Sequence, residues 1–129
     1  MANGLERHLQ RREDVFLLGR DLGRRSHSRC ELCGERTSLE IVEVPPLPED
    51  PDLDHALMVC ARCKPLVEGG KRKGGAEDLR FLCEAVWSEL APVQVVAVRA
   101  MRRLSDEGVD WAARALEDLY LDEAIEARL

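Results

Sequence analysis

Four of the five cysteines form two identically spaced pairs, Cys30-Glu-Leu-Cys33 and Cys60-Ala-Arg-Cys63, with 26 residues between the pairs. Two residues between cysteines allow one tight turn to direct both sulfurs at a single metal ion, and two such turns complete a tetrahedron. A four-thiolate shell leaves no open coordination position, so the ion would hold the chain together without activating water or a substrate. The spacing therefore predicts one structural Zn²⁺ bound by Cys30, Cys33, Cys60 and Cys63.

Other chemistries of paired cysteines are alternatives to zinc. Iron in the same four-sulfur shell would make an electron carrier, and a redox dithiol would need a thioredoxin-like βαβ unit, which the pattern does not predict. The glycine at position 34, directly after the first pair, suits a positive φ that turns backbone N–H groups toward the thiolates. The fifth cysteine, Cys83, lies on an apolar helical face, and we predict a packed thiol there. His8, His27 and His55 have no ligand spacing and are interpreted as solvated or hydrogen-bonded side chains.

A second group of residues could bind a partner through positive charge. Six arginines lie in the first 25 residues, and three cations sit among the glycines of segment 69–75, a pattern that predicts a flexible loop with a basic tip. We interpret this loop as solvated and keep a phosphate clamp as the less favoured alternative. The candidate surface for a nucleic acid or a protein consists of Arg7, Arg11, Arg12, Arg20, Arg24, Arg25, Lys71, Arg72 and Lys73.

Length and composition limit the class of protein. A chain of 129 residues with 45% apolar residues predicts a single domain spanning 1–129. The net charge is −6, and the excess of negative charge lies after residue 104, in a segment with eight acidic residues and two arginines. A dedicated DNA-binding protein would instead have a strongly basic surface. Residues 1–12 lack the apolar segment of a signal peptide, and segment 85–98 is too short and interrupted to span a bilayer. We therefore predict a cytoplasmic protein with reduced thiols and no membrane partner.

The apolar pattern predicts an α+β fold with three parts. Residues 4–24 form an N-terminal helix, in which Leu5, Leu9, Phe16 and Leu22 are expected to make an apolar stripe. Residues 26–66 form the zinc-binding hairpin, with strands over 38–44 and 56–59 joined by an acidic, proline-rich loop. Together with the two cysteine turns, these strands would form a zinc-ribbon or treble-clef-like β-hairpin.

The third part, residues 77–129, is predicted to be a three-helix bundle. Leu79, Leu82, Cys83, Val86 and Leu90 follow the spacing of one apolar helical face. Val93, Val96, Ala97, Ala100 and Leu104 give the second helix its buried side. Pro92 suits the first turn of that helix and Gly108 its C-terminal end. Asp110 is expected to cap the third helix, whose inward residues are Ala112, Ala115, Leu116 and Leu119, and Asp122 to begin a final short turn.

A run of motifs resembles the PhnA-type zinc-ribbon family, named after alkylphosphonate-utilisation operons. The matching motifs are Ser26-His27-Ser28-Arg29-Cys30-Glu31-Leu32-Cys33-Gly34, Glu43-Val44-Pro45-Pro46, Val59-Cys60, Cys63-Lys64, Arg80-Phe81-Leu82-Cys83, Trp87-Ser88-Glu89, Pro92-Val93-Gln94-Val95, Arg103-Leu104, Glu107-Gly108 and Leu119-Tyr120-Leu121-Asp122-Glu123. The resemblance covers roughly residues 26–123. It implies zinc at Cys30, Cys33, Cys60 and Cys63 and no catalytic residues, and relatives often carry a C-terminal β domain that this sequence does not include.

The order of cysteine turn, strand, loop and second cysteine turn also resembles the scaffold of HNH nucleases. In that family the strand end carries a histidine pair that binds a catalytic metal, whereas residues 39–46 here contain no histidine, and Lys64 stands where a histidine often follows the last cysteine. We therefore predict a non-enzymatic interaction module that binds a protein or a nucleic acid. A degenerate HNH-type nuclease and an enzyme of phosphonate metabolism remain alternatives.

Overall fold

Residues 4–129, described by a computed structural model, form the α+β fold that the sequence predicts. The three residues before Gly4 belong to the predicted 1–129 domain but lie outside the described part. In chain order, α1 spans Gly4–Leu17, α2 Gly19–Ser26, β1 Leu39–Glu43, β2 Ala56–Cys60, α3 Lys64–Val67, α4 Leu82–Ala85, α5 Ala91–Asp106, α6 Asp110–Glu117 and α7 Glu123–Glu126, and short 3₁₀ turns cover Leu53–His55 and Ala76–Leu79.

The predicted continuous helix over 4–24 is wrong, because the chain forms two helices that meet at Leu18. The Leu18 N–H bonds to the carbonyl of Val15, three residues back, which tightens the backbone at the junction. Gly19 follows, and a Cβ added there would lie 3.3 Å from Cδ1 of Ile41, so the glycine allows α2 to approach β1 closely. Of the predicted apolar stripe, Leu22 is buried in α2, whereas Leu5, Leu9 and Phe16 lie exposed on one side of α1.

The predicted hairpin is confirmed to within one residue at each strand end. Strands β1 and β2 pair antiparallel, in a register that runs from Leu39 opposite Cys60 to Glu43 opposite Ala56. Four of the five residues of β2 are buried. This register places the start of β1 beside the first cysteine of the second pair, so strand pairing and cysteine position are fixed together.

Helix α5 is the centre of the helical part and packs against α4, α6 and α7. Pro92 lies in its first turn as predicted, and all five residues predicted for its inner side are buried. The helix ends in a Schellman motif: Gly108 has φ +89° and donates its N–H to Ser105, and the next N–H, from Val109, bonds to Leu104. None of the helices in residues 4–129 combines the length and the apolar character that crossing a bilayer requires.

The predicted helix over 79–90 buries its apolar face but does not form one continuous helix. Leu79, Leu82 and Val86 are buried, whereas the backbone forms a 3₁₀ turn, the one-turn helix α4 and further turns. Two side chains form hydrogen bonds with backbone groups near the end of this segment, and these bonds end the helical turns. The Oγ of Ser88 accepts the N–H of Leu90, and Nε2 of Gln94 donates to the carbonyl of Val86.

Two predictions for the last helices have different outcomes. Asp110 is the first residue of α6 and the cap position belongs to Val109, without a side-chain cap bond, so the predicted Asp110 cap is wrong. Ala112 is buried as predicted, and Ala115, Leu116 and Leu119 pack half-buried against the core. Asp122 directly precedes α7, and its carbonyl accepts two N–H groups of that helix, which confirms the predicted start.

A pair of glycine substitutions compares a glycine that ends a helix, Gly108, with a glycine inside a helix, Gly23. Gly108→Ala should lower the free energy of unfolding by about 1 kcal/mol, because an alanine is strained at positive φ. Gly23→Ala should raise it by about 0.5–1 kcal/mol, because Gly23 is helical with no atom within 4 Å of an added Cβ. Thermal or urea unfolding of the two variants measures this, and a change of the same sign in both would contradict the assignment.

Candidate metal centre

The first cysteine turn is built by backbone hydrogen bonds that turn the chain around one sulfur. Cys30 donates its N–H to Glu35 at 2.7 Å, Gly34 donates to the carbonyl of Cys30 at 2.9 Å, and the Cys33 N–H lies 3.5 Å from Sγ of Cys30. Gly34 has φ +86°, which confirms the predicted positive φ. Both cysteine side chains of this turn therefore project to the same side.

The second cysteine turn joins the end of β2 to the start of α3. Cys60 is the last residue of the strand, Cys63 is the cap residue of the helix, and the Cys63 N–H donates to the carbonyl of Cys60 at 3.1 Å. The helix carries Pro65 in its first turn, where the missing N–H costs no hydrogen bond. One sulfur is thus fixed by a strand and the other by a helix.

The four sulfurs lie at distances that fit a tetrahedral metal ion. Sγ of Cys33 and Sγ of Cys60 are 3.7 Å apart, and the four ligand atoms all lie within 4.8 Å of one another. In a zinc–thiolate tetrahedron with bonds of about 2.3 Å the sulfurs are about 3.8 Å apart. A disulfide needs about 2.05 Å, and all five cysteines are free. The structure therefore brings the four predicted ligands together as a metal site.

Burial and hydrogen bonding make these sulfurs dependent on a cation. The side chains of Cys30, Cys60 and Cys63 are buried and that of Cys33 is half-buried. A hydrogen bond from Cys63 lowers the pKa of Cys30 to about 4, and the same contact raises the pKa of Cys63. Burial raises the pKa of Cys33. Four neighbouring thiolates cannot all ionise in such a place unless a divalent cation compensates their charge.

A buried ion pair holds the first cysteine turn against β2. The guanidinium of Arg25 donates to both carboxylate oxygens of Glu31 at 2.8 and 2.9 Å, and also to the backbone carbonyls of Leu53 and Ala56. Glu31 lies between the two cysteines, accepts the Met58 N–H at 2.9 Å, and has a side chain that is only 2% exposed. The pair therefore positions the first two sulfurs against the strand that carries the third.

Arg11 and Arg25 were predicted to belong to a partner surface, and the structure gives both an internal role. Arg11 donates to both oxygens of Glu43 at 2.7 and 2.9 Å and to the carbonyls of Pro48 and Glu49. It thereby fixes α1 to β1 and to the loop after it. No residue spacing predicts these contacts of Arg11, because their partners lie 32–38 residues away along the chain. Arg7, Arg12, Arg20 and Arg24 are exposed.

The basic loop is also not a uniformly solvated tip. Arg72 is 8% exposed and donates to the carbonyl of Asp78, with its guanidinium 5.1 Å from the centre of the Phe81 ring. Lys71 forms an ion pair with Glu107 at 2.9 Å. Of the three loop cations only Lys73 keeps an exposed position without such a contact among the described residues. The prediction that all three face solvent is therefore wrong for Arg72.

The remaining sequence candidates lie apart from the sulfur cluster. Cys83 is half-buried against the core, outside the set of clustered ligand atoms in residues 4–129, which fits a packed thiol. His55 Nδ1 lies 2.7 Å from a carboxylate oxygen of Asp52, a hydrogen bond that residue spacing alone did not predict. His27 ends α2 in a left-handed conformation, and His8 is exposed on α1.

In comparisons with protein-family models, with curated proteins and with solved structures, nothing matched this chain. The assignment of the metal centre therefore depends on the geometry of its four sulfurs.

The Arg25–Glu31 pair should be important for stability. Arg25→Gln leaves the Glu31 carboxylate buried without its cation, and we expect the free energy of unfolding to fall by about 3 kcal/mol. Arg24→Gln is the matched control: Arg24 is exposed in the same helical turn, so its loss should change stability by less than about 0.5 kcal/mol. Denaturant unfolding compares the two, and equal effects would show that the pair has no special role.

Proposed function

We propose that this chain is a PhnA-like zinc-binding protein in which one structural Zn²⁺ fixes the hairpin, and that it acts as a non-enzymatic interaction module. The observation that carries the proposal is the cluster of Cys30, Cys33, Cys60 and Cys63, whose sulfurs all lie within 4.8 Å of one another, with one pair 3.7 Å apart. Four protein ligands close the coordination shell, so the ion would stabilise the fold and leave no position for a substrate. The family resemblance of segment 26–123 supports the same assignment.

Substitution of one cysteine ligand tests the structural role of the proposed ion. Cys30→Ser should lose the ion and unfold the hairpin, because binding of a structural zinc contributes directly to folding. Cys83→Ser is the control, since this thiol lies outside the cluster, and it should keep one zinc per chain. Elemental analysis and circular dichroism measure both. Equal zinc loss in the two variants would contradict the assignment, and visible absorption with one iron per chain would identify the alternative electron carrier.

The partner surface that we propose is the outward side of α1. Leu5, Leu9 and Phe16 are 65%, 51% and 78% exposed, and their spacing of i, i+4 and i+11 places them on one side of the helix. Arg12, at i+7 on the same side, is also exposed. A row of large apolar side chains on a helix is typical of a protein contact. We therefore propose a protein partner with an apolar groove and a carboxylate opposite Arg12.

A nucleic acid is the less favoured partner. The net charge of the chain is −6, glutamates pair with Arg11 and Arg25, and Arg72 is buried away from an extended phosphate backbone. The cations left for a phosphate backbone are therefore fewer than the sequence suggests. Binding to DNA or RNA would weaken steeply between low and moderate salt, so a titration with duplex and single-stranded oligonucleotides at two salt concentrations separates the two partner classes.

Two surface variants test the role of α1. Phe16→Glu places a charge in the exposed apolar row and should abolish partner capture. Leu47→Glu changes another exposed apolar residue, 51% exposed, in the loop between the strands and should leave capture intact. Neither side chain is buried, so both variants should fold and keep their zinc. The measurement is affinity capture with the full chain from its native cell. A protein captured equally by both variants would exclude α1 as the contact surface.

One observation favours an enzymatic alternative of the HNH or hydrolase type. The hydrogen bond between Asp52 and His55 orients an imidazole as general-base catalysis requires, and the histidine side chain is 23% exposed. The same bond also stabilises the 3₁₀ turn that leads into β2. Nuclease and phosphonate-hydrolysis assays with added divalent metals test it: no turnover is expected, and turnover that His55→Ala abolishes would replace the interaction module with an enzyme.

A further inference from the structure

The glycine-rich loop, residues 69–75, folds against α5 and borders a cavity of about 210 Å³. We call this cavity the loop–α5 cavity. Its walls include apolar side chains, among them Leu66, Leu79, Leu104 and Val109, together with the charged residues Lys71, Arg72, Arg103 and Glu107. None of these residues is a ligand of the proposed metal centre. A concave apolar surface with a few convergent charged groups is the usual composition of a small-molecule site.

Arg72 is the residue that makes this cavity unusual. It is the one charged residue in the buried core of residues 4–129. One Nη donates to the carbonyl of Asp78 at 3.1 Å and the guanidinium lies over Phe81, but the buried Nε has no hydrogen-bond partner. A desolvated guanidinium that lacks a carboxylate partner is costly to the fold. Among residues 4–129 no carboxylate pairs with this guanidinium, so an anion bound in the cavity would compensate its charge.

The other charged residues add to this positive character. Arg103 donates to the carbonyl of Gly70, which ties the loop to α5. Lys71 pairs with Glu107 at 2.9 Å, and both side chains are well exposed, so this ion pair lies at the solvent side of the cavity. Three cations and one carboxylate leave an excess of two positive charges (3 − 1 = 2).

We propose that the loop–α5 cavity binds a small organic anion, with its oxyanion group held by Arg72 and Arg103 and a short apolar group against Leu66, Leu79 and Leu104. A planar guanidinium matches the oxygens of a carboxylate or a phosphate. The apolar wall favours a ligand with a hydrocarbon part over a bare inorganic ion. A volume of about 210 Å³ lies below the range of roughly 300–1,000 Å³ typical of drug-sized ligands, so nucleotides are too large.

Substitution of Glu107 should change anion affinity in the opposite direction to substitution of Arg72. Its carboxylate occupies Lys71 and repels an incoming anion, so Glu107→Gln should strengthen binding. Arg72→Gln should weaken binding by about tenfold to a hundredfold, which is the value of a charge-assisted hydrogen bond. Lys73→Gln removes the same charge from the next position of the same loop, but Lys73 is exposed and does not line the cavity; its affinity should stay within about twofold of the wild type.

The experiment is calorimetric titration of the full, metal-loaded chain with inorganic phosphate, butyl phosphate, acetate and butyrate. We expect saturable binding that is tighter for butyl phosphate than for inorganic phosphate and tighter for butyrate than for acetate, and the better head group identifies the ligand as a phosphate ester or a carboxylate. If Arg72→Gln does not fold, the variant of the exposed Glu107 still tests whether removal of a negative charge strengthens anion binding. Absence of saturable binding by all four probes, an equal loss in Lys73→Gln, or weaker binding by Glu107→Gln would overturn the proposal.

Discussion

The convergence of four sulfurs from two distant turns is the constraint on which the rest of the structure depends. The first turn follows α2, and the second joins β2 to α3, so one ion would connect these three elements. A two-stranded hairpin is marginally stable by itself, and aromatic residues make up only 4% of the chain. A metal cross-link supplies binding free energy where a small core supplies little.

Arginine side chains provide the second level of support. Arg25 joins the first cysteine turn to the segment before β2, and Arg11 joins α1 to β1, each through a bidentate contact with a glutamate and further contacts with backbone carbonyls. The five donors of a guanidinium allow one side chain to satisfy several acceptors at once. These contacts stabilise loops that contain few apolar residues, and they also reduce the number of cations available to a partner.

The two binding surfaces that we propose differ in chemistry and in position in the fold. The outward side of α1 is an apolar row on a helix held by Arg11, and it suits a protein groove. The loop–α5 cavity is small, concave and positively charged, and it suits a small organic anion. Neither surface includes any of the four clustered cysteines, so both proposals leave these sulfurs to the proposed structural ion.

The features that depend on local chemistry can be read from the sequence alone. The spacing of the cysteines, the glycine at position 34, the two strands and the start and end of α5 follow from side-chain type and backbone conformation at single positions. Only the tertiary structure decided which arginines face inward, that α1 ends at Leu17 with its apolar residues exposed, and that Arg72 lies in the core. Arg11 finds its acceptors 32–38 residues away, and for Arg25 and Arg72, which bond to residues six positions ahead, the path of the folded backbone decides the contact. No local residue pattern contains that information.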